Sequence, residues 1–106
     1  MELSLENIYK FLKTNKNCNM VEMYDNTSKF PESIIIVSTA ENIENNKHIA
    51  DEFKSTFDYN GKVDGYFKGE WIVFDLEEFI IHMMIPKIKD KYNLDKLYKN
   101  NKLEIK

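Results

Sequence analysis

The sequence predicts a single α/β domain built on a mixed five-stranded sheet with flanking helices. Three observations predict this fold. The apolar run from Ile34 to Val37 has no polar alternation, so both faces of that strand should be covered, as in a sheet that carries helices. Apolar residues at helical spacing occur before and after this run. The second half of the chain holds three strand-like segments joined by links too short for crossover helices, which indicates an antiparallel meander.

Length and composition are sufficient for one hydrophobic core. The chain has 106 residues, of which 42% are hydrophobic and 13% aromatic, so we expect residues 1–106 to form one domain. There are 15 basic and 18 acidic residues, which gives a net charge of −3. This balance argues against a broad cationic surface. We therefore expect little direct nucleic acid contact, and a basic protein is the better partner.

Cysteine usage and the N-terminal residues indicate the compartment. Cys18 is the only cysteine, which excludes an intramolecular disulfide and a zinc site of several thiolates, and favours a reducing environment. No base or cationic cluster lies near it in sequence, so a catalytic thiol is not favoured. The N-terminal residues are acidic where a signal peptide would be basic, and no apolar run could span a bilayer. We expect a cytoplasmic protein without membrane contact.

The chain should begin with an amphipathic helix over residues 3–14. Ser4 is placed to cap this helix, and its apolar positions recur at helical spacing: Leu5, Ile8, Phe11 and Leu12. Met20 to Tyr24 is the expected first strand, and the central strand follows it. After the polar segment Thr39 to Asn46 we expect a second helix, whose apolar face is marked by Ile49, Ala50, Phe53 and Phe57.

The three meander strands are separated by turn signals. The strands are expected at Lys62 to Phe67, Glu70 to Asp75 and Phe79 to Ile85, and the signals are Asn60-Gly61, Lys68-Gly69 and Glu77-Glu78. Pro86 sits where a proline opens a helix, and apolar residues at helical spacing follow it: Ile88, Tyr92, Leu94, Leu97 and Tyr98. Residues 100–106 are expected to form a tail.

Two carboxylates suggest an enzymatic alternative. Asp75 and Glu77 have the spacing that places two carboxylates on one side of an extended chain, as a Mg²⁺ site for nucleotidyl transfer requires. Such a site also needs a third carboxylate and a phosphate-binding loop. Residues 37–46 (VSTAENIENN) contain no glycine for close backbone approach to a phosphate. We favour carboxylates that cap a turn or face solvent, with a Mg²⁺-dependent nucleotidyltransferase as the alternative.

His82 is the second candidate for chemistry. Strand alternation places it on the face of Ile80 and Met84, opposite Ile81 and Met83. As a metal ligand it would need partners, and nothing in the spacing brings His48 to it. We therefore expect a packed histidine that forms a hydrogen bond to a neighbouring strand or loop, and no metal or other cofactor.

Aromatic residues with polar tips indicate a partner surface. Trp71, Tyr92 and Tyr98 each have the core as their default position, because large aromatic side chains usually pack there. The segment 92–98 (YNLDKLY), however, carries more apolar surface than one short helix can bury against a small sheet. Part of it should face a partner. Homodimerisation through edge strands or through this terminal helix is a further hypothesis.

Two motifs carry a family resemblance. GEWIVFDLEEFIIHMM followed by KYNLDKLY resembles the ribosomal silencing factor family, RsfS or Iojap, whose members carry W-hydrophobic-D-x-G-D-hydrophobic-H and end in Y-x-L-E-x-L-W. The segments IADEF and VDG also resemble family motifs in register. The resemblance covers about Met20 to Tyr98, nearly the whole chain.

The resemblance implies a fold, a partner and a site. The fold is nucleotidyltransferase-like without the catalytic carboxylate set, so no enzymatic activity is implied. Family members bind the large ribosomal subunit, chiefly through ribosomal protein L14, and block joining of the small subunit; organellar relatives serve in large-subunit assembly. By resemblance, Trp71 and Asp75 would shape the sheet end, and His82 would order it. The apolar contact would come from Tyr92, Leu94, Leu97 and Tyr98.

The chain departs from the family pattern at four places. The family's Gly-Asp is Glu77-Glu78 here, and the glycine after Thr39 is Ala40. The histidine at the start of the second helix falls at Asn45, and the final tryptophan is Tyr98. His48 is not the missing histidine, because the ungapped alignment places it later in the chain. These departures should modify the contact surface more than the fold.

Overall fold

Six strands and three helices make up the part of the chain that the computed structural model describes, residues 1–26, 33–92 and 102–103. In chain order they are α1 (Leu5–Thr14), β1 (Cys18–Asn26), β2 (Ser33–Ala40), α2 (Ile43–Thr56), β3 (Val63–Asp64), β4 (Trp71–Asp75), β5 (Phe79–Met84), α3 (Pro86–Tyr92) and β6 (Lys102–Leu103). No helix in these ranges is long and apolar enough to cross a membrane.

The strands form one mixed sheet in the order β3-β4-β5-β2-β1-β6. β2 and β5 run parallel, and the other neighbouring pairs are antiparallel. The α/β fold with a mixed sheet of five strands, a central β2 and a β3-β4-β5 meander is therefore confirmed. β6 is an addition: Lys102 and Leu103, which fall in the expected tail, pair with Tyr24 and Met23 at the edge of β1.

α1 and α2 cover one face of the sheet, and α3 packs on the other. Ile8 and Leu12 of α1 and Phe53 of α2 are fully buried against the first of these faces. The sheet contributes Ile36, Ile72, Phe74, Ile81 and Met83 to the same cluster. The opposite face carries a smaller cluster of Tyr24, Ile35, Val37 and Met84, with Trp71, Ile80 and Ile88 packed beside it. β2 thus has buried side chains on both faces, as its unbroken apolar run predicts.

The first two helices differ from expectation at their starts. α1 begins at Leu5 instead of residue 3, because Ser4 is the cap: its hydroxyl accepts a hydrogen bond of 3.2 Å from the Asn7 amide. α2 begins at Ile43, inside the polar segment Thr39 to Asn46 that was expected to connect the strand to the helix. Asn42 caps it by accepting from the Asn45 amide at 2.8 Å. The start of α2 could not be predicted from apolar periodicity, because most residues of its exposed first turn are polar.

Two strand predictions were wrong in length. β1 extends beyond Met20 to Tyr24 at both ends. β3 is only two residues long, where Lys62 to Phe67 was expected. Gly65 ends it with a φ of +78°, and the Gly65 carbonyl accepts from the Gly69 amide at 2.9 Å. Residues Gly65 to Gly69 (GYFKG) therefore form a closed turn, called the Gly65–Gly69 loop below.

Asn46 connects α2 to this loop and to the sheet. Its side chain is fully buried, and its amide nitrogen donates to the carbonyls of Gly69 and Met83, both at 2.9 Å. Gly69 also packs closely against the side chains of Ile43 and Lys47. One buried amide thus fixes the β3–β4 connection against the first turns of α2.

Candidate functional site

The sheet face opposite α1 and α2 is built from cross-strand rows. Met20, Thr39, Met84 and Trp71 pair successively across β1, β2, β5 and β4. The next row consists of Glu22, Val37, His82 and Val73. Side chains in such rows point to the same face of the sheet. Trp71 and His82 therefore lie diagonally across neighbouring strands, in adjacent rows.

Trp71 and His82 form the centre of the candidate site. The indole Nε1 of Trp71 donates a hydrogen bond of 2.9 Å to Nδ1 of His82. Burial lowers the pKa of His82 to about 4, so the imidazole is neutral at pH 7 and Nδ1 can accept. The prediction of a packed histidine bonded to a neighbouring strand is confirmed, and His82 shares its face with Ile80 and Met84 as expected.

Tyr92 completes an aromatic cluster at this end of the sheet. Its ring centroid lies 4.7 Å from that of Trp71, and 47% of the residue is exposed. Trp71 thus contacts both His82 and Tyr92. A groove of about 200 Å³ opens beside the two rings. It is lined by Gly65, Lys68, Glu70, Trp71, Ile88 and Tyr92.

An ion pair positions α3, and with it Tyr92. Lys89 Nζ lies 2.5 Å from Glu22 Oε1, and both side chains are largely buried. Glu22 Oε2 also accepts from the Tyr24 hydroxyl at 3.0 Å. Because Glu22 belongs to β1, this network ties α3 to the face of the sheet that carries Trp71 and His82.

Asp75 lies away from the aromatic cluster. It ends β4, four residues beyond Trp71, which corresponds to about 13 Å along a strand. Its Oδ1 accepts from the Glu77 amide at 3.1 Å, and Glu77 has a φ of +70°. Asp75 therefore caps the β4–β5 turn, in agreement with the prediction that this carboxylate caps a turn or faces solvent. Glu77, whose φ is positive, stands at the position where the family pattern has glycine.

The three remaining predicted site residues, Leu94, Leu97 and Tyr98, lie outside the described residues. Among the described residues, the site predicted from sequence thus contains one assembled cluster, Trp71, His82 and Tyr92, and one separate residue, Asp75.

Metal-ligating residues are scattered over the described ranges. No cluster of three or more histidine, cysteine, aspartate or glutamate residues is found there. His48 lies exposed on α2, on a different element from His82. Burial raises the pKa of the Cys18 thiol, which keeps the thiol protonated at neutral pH. The arrangement at Trp71 is suited to contact with a partner surface.

Some residues of this region were not anticipated from sequence. Lys68 and Glu70 line the groove, and Asn46 holds the loop that carries Lys68. Phe67, at the tip of the Gly65–Gly69 loop, is 95% exposed although it was expected to lie in a strand. The available signal was the pair of glycines that bracket YFK, which indicates a tight turn.

Comparison with known proteins identifies a family. The family model described as "Ribosomal silencing factor during starvation" (RsfS) matches residues 2–106. The ribosomal silencing factor RsfS of Zymomonas mobilis is 30% identical over 50 residues, which are 47% of this chain and 38% of that protein. That of Chromobacterium violaceum is 31% identical over 39 residues, 37% of this chain and 32% of that protein. The aligned stretches therefore span well under half of these relatives.

Solved structures share the fold. A crystal structure of a protein from Bacillus halodurans aligns with a TM-score of 0.75 and 17% identity, covering 94% of this chain and 99% of that one. A structure from Chromobacterium violaceum aligns with a TM-score of 0.74 and 20% identity, covering 97% and 92%. The motif resemblance is confirmed by the family match. Because the family model covers nearly the whole chain, the protein belongs to the RsfS family of ribosomal silencing factors.

Proposed function

We propose that the protein silences translation by binding the large ribosomal subunit through ribosomal protein L14, and that the bound protein blocks joining of the small subunit. The observation that carries this proposal is the exposed ring of Tyr92 packed on Trp71, which His82 holds in place. The proposed activity is occupancy of a surface in the cytoplasm, without turnover or cofactor.

The geometry of the cluster supports a contact role. Tyrosine and tryptophan are favoured at protein interfaces because they combine a large apolar area with a polar tip. The Trp71 indole is already fixed by its hydrogen bond to His82, so little side-chain entropy remains to be lost on binding. A groove of about 200 Å³ beside the rings could receive a side chain of the partner.

Charge supports a basic partner. The chain carries a net charge of −3, and the groove beside Trp71 is lined by one acidic and one basic residue, Glu70 and Lys68. A basic ribosomal protein would be attracted by the net charge of the chain, since complementary charge raises the rate of encounter. Leu94, Leu97 and Tyr98 are proposed to extend the contact beyond Tyr92, and Asp75 to shape the far end of the sheet. A homodimer would use edge strands of the sheet or the same apolar segment.

The enzymatic alternative receives no support from the geometry of its two carboxylates. Asp75 is engaged in the turn through the Glu77 amide, and Glu77 lies in the turn itself instead of continuing the strand. A role in large-subunit assembly, as in organellar relatives, would use the same subunit contact at an earlier stage.

The proposal is tested with purified ribosomal subunits. The protein is added to separated large and small subunits before they are mixed, and joined ribosomes are measured by sedimentation. We expect fewer joined ribosomes and co-migration of the protein with the large subunit, together with direct binding to purified L14. Unchanged joining, with no protein on the large subunit, would refute the proposal. Binding confined to immature subunits would indicate the assembly role.

A further inference from the structure

The Gly65–Gly69 loop presents an aromatic residue to solvent. Phe67 is 95% exposed, the highest exposure among the large hydrophobic residues of the described ranges. Exposure of this apolar ring to water is unfavourable in the free protein. Burial of the ring against a partner would remove this cost.

The loop is held rigidly, so this exposure is a property of its fold. The Gly65 carbonyl and the Gly69 amide close it, and Asn46 donates to the Gly69 carbonyl. The Tyr66 hydroxyl donates to Asp51 Oδ2 of α2 at 3.1 Å. Both glycines have φ values near +78°, which other residues rarely adopt. A rigid loop with an exposed aromatic tip is preorganised for contact.

Lysines surround the tip. Lys47 Nζ lies 5.3 Å from the ring centroid of Tyr66 and 5.9 Å from that of Phe67. Lys68 follows Phe67 directly, and Lys54 lines the cleft beside Tyr66. Among the described residues, Lys47, Lys54 and Lys68 form no ion pair. Of the acids near these lysines, Asp51 accepts from Tyr66, Asp64 pairs with Lys62, and Glu70 lines the groove beside Lys68.

We propose that the Gly65–Gly69 loop binds single-stranded RNA, with Phe67 stacking on an unpaired base and Lys47, Lys54 and Lys68 contacting phosphates. Lys68 lies on the loop, Lys54 lines its cleft and Lys47 lies beside the Phe67 ring, in a chain whose net charge is −3. An apolar pocket on a protein would accept Phe67 without these lysines, whereas a nucleic acid strand uses both. Because only unpaired bases offer a free face, the target is a single strand or loop. The inference does not rest on the proposed contact with L14, although Lys68 also lines the groove beside Trp71.

The experiment measures binding of fluorescently labelled single-stranded RNA of about ten nucleotides at low salt, with the duplex of the same sequence as comparison. We expect the single strand to bind more tightly than the duplex, and Phe67→Ala to weaken binding about tenfold while Phe67→Trp retains it. Lys68→Ala should reduce the slope of log affinity against log salt by about 0.7. The matched controls are Leu3→Ala and Lys10→Ala, which remove an exposed apolar and an exposed basic side chain near the N-terminus and should leave binding unchanged.

Three results would overturn the inference: no binding of the single strand, equal binding by Phe67→Ala, or equal binding of the duplex. Thermal unfolding verifies that each variant is folded, and the exposure of Phe67 makes a loss of fold unexpected. If Phe67→Ala weakens sedimentation with large subunits but leaves RNA affinity unchanged, the loop contacts protein and the inference is wrong. The RNA assay contains no ribosomal component, so failure of the proposed function leaves its result interpretable.

Discussion

Trp71 Nε1 donates to Nδ1 of His82 at 2.9 Å, across the neighbouring strands β4 and β5. This bond gives His82, a candidate for chemistry in the sequence, a structural partner on the neighbouring strand. It requires a neutral imidazole, and burial supplies one by lowering the pKa of His82 to about 4.

The first prediction concerns the energy of this bond. His82→Leu leaves the indole N–H of Trp71 without its acceptor, so we expect the free energy of unfolding to fall by about 1–3 kcal/mol. Trp71→Phe removes the donor from the same pair. A double-mutant cycle from urea unfolding should give a coupling energy of about 1 kcal/mol. Additive effects of the two substitutions would contradict the bond.

The second prediction is a loss of stability in acid. The pKa of His82 is about 4 in the folded protein and about 6.5 when unfolded, so the unfolded state binds more protons between these values. The contribution of His82 to stability should therefore be constant above pH 6.5 and fall as the pH decreases to 4, by about 3 kcal/mol in total. His82→Gln lacks this titration. The difference between the two proteins in unfolding free energy should change with pH only in this window, and a constant difference would refute the assignment.

The third prediction concerns the β4–β5 turn. Glu77 has a φ of +70°, and a left-handed conformation is unfavourable for a residue with a Cβ. We expect Glu77→Gly to raise the free energy of unfolding by about 0.5–1 kcal/mol. Glu78→Gly is the matched control, because Glu78 is also exposed but has no positive φ, and it should lower stability. Destabilisation by Glu77→Gly would mean that contacts of the Glu77 side chain outweigh its backbone strain.

The fourth prediction concerns the buried amide of α2. Asn46→Ala deprives the Gly69 and Met83 carbonyls of their donor, so unfolding free energy should fall by about 2–3 kcal/mol. Asn45→Ala, at the adjacent and more exposed position of the same helix, should change it by less than about 0.5 kcal/mol. Equal effects of the two substitutions would show that the buried amide has no special role.

The elements that sequence predicted well are those governed by side-chain periodicity. The run Ile34 to Val37 indicated a strand buried on both faces, and alternation placed His82 on the correct face of β5. Both conclusions depend only on the local repeat of a strand, so no tertiary information was needed.

The features that sequence missed depend on tertiary contacts or on backbone conformation. The start of α2 is set by the Asn42 cap, and the end of β3 by the left-handed Gly65. The bond between Trp71 and His82 requires the β4–β5 register, which the turn at Glu77 determines. Each residue could be selected as a candidate alone, but their contact could not be derived without that register.

The affinity of Tyr92→Ala for purified large ribosomal subunits, compared with wild type, decides whether the aromatic cluster forms the proposed contact. Tyr92 is exposed and touches Trp71, so its removal should leave the fold intact. We predict that affinity falls at least about thirtyfold, as for a central aromatic interface residue, while Leu3→Ala binds like wild type and thermal unfolding of both variants is unchanged. Wild-type affinity for Tyr92→Ala, or no binding of wild type to the subunit, would contradict the account.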